Sequence, residues 1–156
     1  MEAIEKIVVQ ALQNNTVKEV KEPTTVYGSP FSNRLKLIQL IRTGLPQKLF
    51  DKLQQLIPFT ELDWAEVLNV SSKTLQRSKK DKQFTYKPIH TEKILEIAEV
   101  TQFGLTVFGN KSAFKEWLNT PSAALGNNTP KELLKDSFGK ELVMQELNNI
   151  EHGIFA

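Results

Sequence analysis

The 156-residue chain contains no cysteine. Without thiols it can build neither a disulfide framework nor a thiolate metal site. Its two histidines, His90 and His152, stand far apart, the first at a predicted helix start and the second near the C-terminus. Neither has a partner pattern for nucleophilic catalysis or metal ligation. The sequence carries no H-E-x-x-H, no glycine-rich phosphate loop and no Gly-x-Ser-x-Gly elbow. Its carboxylates, Glu96 and Glu99 among them, fall on polar helix faces and are expected to meet water. These absences predict no catalytic residues, no metal and no cofactor, and so a binding protein rather than an enzyme. No apolar run approaches the ~20 residues that span a bilayer. The start, Met1-Glu2-Ala3-Ile4-Glu5-Lys6, has no basic segment leading into an apolar one, so no secretory signal is expected. The expected setting is cytoplasmic, with no membrane partner.

The net charge of +2 is small, but its distribution is uneven. Residues 34–93 hold 12 basic and 6 acidic side chains, whereas residues 94–156 hold 5 basic and 8 acidic. A basic middle and an acidic end suit a polyanion in one part and another partner elsewhere. An ordinary solvated surface with clustered charge is the competing explanation.

Near the N-terminus, Ile4, Ile7, Val8, Ala11 and Leu12 fall at helical spacing, although Ile7-Val8-Val9 also fits the start of a strand. From Glu22 to Ser32, Pro23, Gly28, Ser29 and Pro30 mark a linker, with Tyr27 and Phe31 as anchors to the next element. Ser32 is the predicted N-cap of a helix whose apolar face is Leu35, Leu37, Ile38, Leu40 and Ile41, up to Gly44. Pro46 opens a second helix with Leu49, Phe50, Leu53, Leu56 and Ile57 inward, and Pro58 ends it. The basic residues on these two helices either flank a polyanion or keep the surface wet.

Residues 60–80 carry two short helices around a tight turn. Thr60 and Asp63 approximate a capping box, and Leu62, Ala65 and Leu68 are predicted to point inward. Asn69 sits where the turn needs a left-handed residue, a conformation asparagine tolerates. Val70 plugs the turn, Ser71 caps the second helix, and Leu75 returns to the core. This is the layout of a helix-turn-helix. It turns Ser72, Lys73, Gln76 and Arg77 away from Leu75. Arg77 and Gln76 suit bidentate contacts to guanine and adenine. Ser72 or Thr74 can hold phosphate through hydroxyls and helix N-terminal amides. Lys79, Lys80 and Lys82 extend the basic run and add salt-dependent phosphate affinity. The competing reading of these cations is a solvated helix end that complements the macrodipole.

Phe84, Tyr86, Pro88 and Ile89 read as an extended connector. Thr91 and Glu92 then start a long helix burying Ile94, Leu95, Ile97, Ala98, Thr101, Leu105 and Phe108. Gly104 inside it costs ~1 kcal/mol relative to alanine, which predicts a close helix crossing. Gly109 closes that helix. Phe114, Trp117 and Leu118 follow, and Trp117 is read as structural. Pro121 forbids continuation, and Thr129-Pro130 reads as N-cap plus first helical residue. Leu133 and Leu134 bury one face, and Gly139 is expected to break that helix. Val143, Leu147 and Ile150 form the stripe of a last helix, from about Gly139 to Ile150.

The order Trp117-Leu118, Pro121, Leu125-Gly126, Pro130, Leu133-Leu134, Gly139 and Ile150-x-x-Gly153 resembles the C-terminal toxin-binding domain of the Xre/MbcA/ParS antitoxins. Asn127-Asn128 stands where the family often has a second glycine, and Gly104 where alanine is usual. Upstream, Val70-Ser71 and Thr74-Leu75-Gln76-Arg77 resemble the Xre-type helix-turn-helix that precedes that domain. The resemblance implies an all-α fold: residues 1–31 as N-terminal segment and linker, 32–90 as the DNA-binding domain, and 91–156 as the toxin-binding domain. It implies a RES-domain toxin that depletes NAD⁺ as partner, and operator DNA bound by Ser72, Lys73, Thr74, Gln76, Arg77, Lys79 and Lys80. It further implies a homodimer, autoregulation of the operon, and a C-terminal end, Glu151, His152, Gly153, Ile154 and Phe155, that covers the toxin's active site. The alternative is a helix-turn-helix transcriptional regulator whose C-terminal module only dimerises.

Overall fold

The computed structural model describes residues 2–14 and 29–154. Pro23, Tyr27, Gly28 and Phe155, which figure in the expectations above, lie outside them. The described residues contain helices and no strand, only isolated bridges. The first helix, α1 (Glu2–Asn14), settles the ambiguity at Ile7-Val8-Val9 in favour of helix. Ile4, Ile7, Val8 and Ala11 are buried against helices that follow in the chain.

A 3₁₀ turn (Pro30–Ser32) buries Phe31 and leads into α2 (Arg34–Thr43). Asn33, not Ser32, caps α2: its Oδ1 accepts the Lys36 amide at 3.2 Å. Ser32 instead donates its hydroxyl to the Ser29 carbonyl, stitching the 3₁₀ turn. The predicted apolar face of α2 is narrower than expected. Leu37 and Leu40 are buried, but Leu35 is 76% and Ile38 42% exposed. Each lies two positions before a buried residue, about 200° round the helical wheel from it. α3 (Gln47–Leu56) starts after Pro46 and buries Leu49, Phe50 and Leu53, with Ile57 just beyond its end.

The same geometry corrects the next helix, α4 (Glu61–Val67). Leu62 is 68% exposed, while Trp64, Ala65 and Leu68 are buried. Trp64 takes the inward direction and turns Leu62 outward. The second helix of the pair is α5 (Ser72–Lys80), followed by an extended arm. In that arm Phe84 accepts the Gln47 amide and Tyr86 donates to the Leu45 carbonyl, both at 2.9 Å. The arm thus pairs antiparallel with the turn between α2 and α3.

α6 (Pro88–Phe108) begins earlier than Thr91, because Pro88 supplies a first helical residue that needs no amide partner. Thr91 is fully buried instead. Its Oγ1 accepts the Leu45 amide at 3.0 Å and donates to the Tyr86 carbonyl at 3.2 Å, fastening arm and turn to the helix. Gly109, at φ +75°, closes α6 as expected. α6 packs on α1 and α2 on one side and on α7 (Lys111–Leu118) and α9 (Ser137–Glu151) on the other.

Glu96 and Glu99 do not face water. Glu99 pairs with Arg34 at 3.0 Å and Lys140 at 2.6 Å, tying α2, α6 and α9 together. Glu96 takes Lys93 at 2.8 Å and accepts the Ser137 hydroxyl at 3.0 Å. α8 (Pro130–Leu133) is capped by Thr129, whose Oγ1 accepts the Glu132 amide. Gly139 does not break a helix; it sits in the first turn of α9. A Cβ there would collide with the Leu133 carbonyl group, so glycine is required where α9 presses on α8.

Gly104 marks the close crossing that its cost predicted. A Cβ built on it would stand 2.6 Å from the Phe114 Cζ and nearer still to two other ring carbons. Phe114 is fully buried and stacks on Trp117 at 6.1 Å. Helix propensity alone makes Gly104→Ala stabilising by ~1 kcal/mol, but overpacking a filled core costs about 1–3 kcal/mol. The expected outcome is a net loss of about 1–2 kcal/mol, read as a lower urea midpoint. A raised midpoint would show that the ring moves aside freely.

Candidate nucleic-acid interface and C-terminal end

The helix-turn-helix is built by local backbone chemistry. The Val70 amide donates to the Ala65 carbonyl at 3.0 Å and the Asn69 amide to the Glu66 carbonyl at 3.1 Å. This is a Schellman closure of α4, with Asn69 at φ 52° in the place glycine usually fills. Val70 is half-buried against the core, and Ser71 then caps α5 by accepting the Thr74 amide at 3.1 Å. One residue ends a helix and, two residues on, another starts the next.

An aromatic column holds the pair in place. Phe50 packs edge-on against Trp64 at 4.9 Å and against Tyr86 at 4.8 Å, and Phe59 and Phe84 extend the column at its two ends. Rings in such geometry add about 0.5–1.5 kcal/mol per pair beyond their buried area. α5 turns Leu75 and Ser78 into this core. The Ser78 hydroxyl donates to the Leu75 carbonyl and meets the Tyr86 hydroxyl at 3.3 Å. Burial pushes the Tyr86 hydroxyl above its ordinary pKa, so it stays neutral beside Ser78.

With Leu75 and Ser78 inward, Lys73, Thr74, Gln76, Arg77, Lys79 and Lys80 are exposed and Ser72 is half-buried. α5 therefore gathers all the residues expected to meet DNA on one short helix, but not on equal terms. Thr74 Oγ1 lies 2.9 Å from Ser71 Oγ within the cap. Gln76 donates to Glu61 Oε1 at 3.1 Å, and Lys79 stands 3.5 Å from Glu61 Oε2. Among the described residues, Lys73, Arg77 and Lys80 have no side-chain partner. Glu61 had no assigned part in the expectations from sequence. Its position fifteen residues before Gln76 gave no signal, because the contact depends on how the two helices cross.

The acids of α4 hold the C-terminal part of the chain. Lys131 reaches Asp63 at 3.0 Å and Lys135 reaches Glu66 at 3.0 Å. Burial acts to raise the Asp63 pKa, but the Thr60 amide and the Lys131 ammonium outweigh it and hold it below the ordinary value. His90, half-buried beside Tyr86, is shifted down by burial and then by Lys87.

At the other end, α9 closes with a second Schellman motif. Gly153, at φ +67°, donates to Ile150, and Ile154 donates to the Asn149 carbonyl at 2.8 Å. Glu151, His152, Gly153 and Ile154 are all exposed; Ile154 has 59% of its surface in solvent. His152 Nδ1 lies 2.8 Å from the Asn148 carbonyl. Within the described residues the end does not fold back on the helices.

A folded-state pKa below the ordinary 3.8 means that Asp63 contributes stability above that value and loses it as pH falls through the folded pKa. Asp63→Ala removes the capping-box acceptor and the Lys131 partner. It is expected to cost about 1 kcal/mol at neutral pH. The difference from wild type should shrink in acid, which urea titrations at several pH values would show. A gap independent of pH would contradict this assignment.

Two family models match. Residues 36–99 match the antitoxin Xre-like helix-turn-helix domain. Residues 104–153 match the antitoxin Xre/MbcA/ParS C-terminal toxin-binding domain. The chain is similar to antitoxin Xre of Yersinia enterocolitica, 26% identical over 131 residues that cover 83% of this chain and 87% of the relative. It is similar to antitoxin Xre of Photorhabdus laumondii at 28% identity over the same lengths. It shares its fold with a chain of the M. tuberculosis MbcT-MbcA toxin-antitoxin complex, with a TM-score of 0.54 at 15% identity, covering 68% of this chain and 93% of that one. Among the described residues no helix is long and apolar enough to cross a membrane. The chain belongs to the Xre/MbcA/ParS antitoxin family, and is an antitoxin of a toxin–antitoxin system with a helix-turn-helix domain.

Proposed function

We propose that this antitoxin neutralises an NAD⁺-degrading RES-domain toxin by inserting its C-terminal end into the toxin's active site. The proposal assigns toxin contact to Glu151, His152, Gly153, Ile154 and Phe155. The observation that carries it is the end of α9. A Schellman motif fixes the backbone through Ile154 while leaving a large apolar side chain in solvent. An apolar residue at a chain end ordinarily covers its own core; this one is held away from it and is available to a partner.

The second half of the proposal is operon autoregulation. Residues 32–90 form the DNA-binding unit, joined by α1, and residues 91–156 the toxin-binding unit. Ser72, Lys73, Thr74, Gln76, Arg77, Lys79 and Lys80 face the operator. Two copies related by a two-fold axis set their recognition helices about 34 Å apart, one helical turn of DNA. The support is the exposed cationic face of α5, where Lys73, Arg77 and Lys80 lack partners among the described residues. The work is inhibition and binding, not catalysis, and takes place in the cytoplasm.

Co-expression with the product of the neighbouring gene tests the partner. Stable co-purification is expected, with NAD⁺ consumption appearing only once this chain is removed. A partner without NAD⁺ activity would return the reading to a transcriptional regulator whose C-terminal module dimerises. Deleting residues 151–156 is expected to abolish neutralisation while leaving the melting transition and DNA affinity intact. A truncated chain that still rescues cells would rule out occlusion by the tail. Arg77→Ala is expected to weaken operator binding by about 1–3 kcal/mol without altering toxin inhibition. Unchanged DNA affinity would mean that another face binds.

A further inference from the structure

Glu61 is the first helical residue of α4, yet its carboxylate is spent on α5. Oε1 accepts from Gln76 Nε2 at 3.1 Å, and Oε2 lies 3.5 Å from Lys79 Nζ. All three groups are solvent-exposed to a substantial degree. An exposed contact of this kind adds little to stability. Its consequence is for what α5 can offer to a ligand.

A glutamine amide reads adenine with both ends, donating through Nε2 to N7 and accepting at Oε1 from the N6 amino group. With one Nε2–H given to Glu61, Gln76 keeps its second N–H and its Oε1, the donor–acceptor pair that adenine needs, and the carboxylate holds the amide in one orientation. Lys79, held beside a carboxylate, has part of its charge neutralised where a phosphate would otherwise take it. The carboxylate itself repels the DNA backbone.

We propose that Glu61 is a positioning residue for DNA recognition. It orients Gln76 to read adenine with both ends of its amide, and it restrains affinity by engaging Lys79. This rests on the reading of α5 as the DNA-binding helix. Glu61 touches no base; it acts through Gln76 and Lys79.

The test uses the full chain against a randomised duplex library and then against the selected duplexes at several salt concentrations. Wild type is expected to prefer adenine at one position, and Gln76→Ala to lose that preference. Glu61→Ala is expected to bind several-fold tighter at low salt, to steepen the log K against log salt slope by about 0.9, and to relax the preference for adenine. Glu61→Gln keeps an acceptor for the Gln76 amide without the charge. It is expected to bind tighter with the wild-type base preference retained. Melting curves monitor folding, and a change confined to melting would mark a structural role only and overturn the proposal. Unchanged slope and unchanged preference in Glu61→Ala, with wild type binding DNA, would also overturn it. A wild-type chain that binds no duplex at low salt would overturn the DNA-binding reading itself, and this inference with it.

Discussion

The structure depends on α6 being buried from both sides at once. Ile94, Ile97, Ala98 and Val100 are fully or almost fully enclosed, and so is Thr101, which returns its hydroxyl to the Ile97 carbonyl at 2.8 Å. A helix that is apolar around most of its circumference belongs in the interior of a protein. Here the two sides of that interior come from the two halves of the chain. α1 and α2 cover one side, and α7 and α9 the other. Neither half therefore has a complete core without this helix. The polar residues that α6 does carry are spent on the same task, since Glu99 grips Arg34 of α2 and Lys140 of α9 together. A carboxylate so enclosed is tolerable only because two cations meet it.

Charge is sorted by this packing in a way the linear sequence conceals. The middle of the chain is basic and its end acidic, and the ion pairs between them run both ways: Arg34 and Lys93 of the middle meet Glu99 and Glu96 of the end. Lys131 and Lys135, from the acidic third, hold Asp63 and Glu66 of α4, from the basic middle. Two acids that would have diluted the field of the helix-turn-helix are thus taken up by lysines of the C-terminal third. What remains is α5 with its excess of cations, interrupted by Glu61. Asymmetry that looks diffuse along the chain becomes a cationic face through folding, and such faces set salt-dependent attraction to polyanions.

Those parts of the fold that obey local rules were readable from sequence. Asn69 at the left-handed position, Ser71 and Thr129 as caps, Gly109 as a helix end, and Gly104 as a close crossing all follow from the conformational chemistry of single residues. The resemblance added the order of the two units and the family. The misreadings share one cause. Leu35 and Leu62 are apolar and lie near buried neighbours, but which side of a short helix faces inward depends on what it packs against. Trp64 settles that for α4 because a large ring column already stands there. Glu96, Glu99 and Glu61 were legible as charges but not as partners, because each contact is made with another helix. Gly139 signalled a break, yet its reason is steric: the Leu133 carbonyl leaves no room for a Cβ.

The same backbone device appears at two places with different consequences. At Asn69 the Schellman turn is followed at once by Val70, half-buried, and by a capped helix, so it redirects the chain into the core. At Gly153 the turn is followed by Ile154, which stays in solvent. The two differ in what lies beyond, not in their hydrogen bonds. α9, whose direction is set by Val143 and Leu147 against α6 and by Lys140 on Glu99, aims the second turn outward. A chain end held by such a helix through its last hydrogen bond loses less conformational freedom on meeting a partner than a free tail does. On the proposed mechanism, the packing around α6 therefore bears directly on how tightly the C-terminal end can bind.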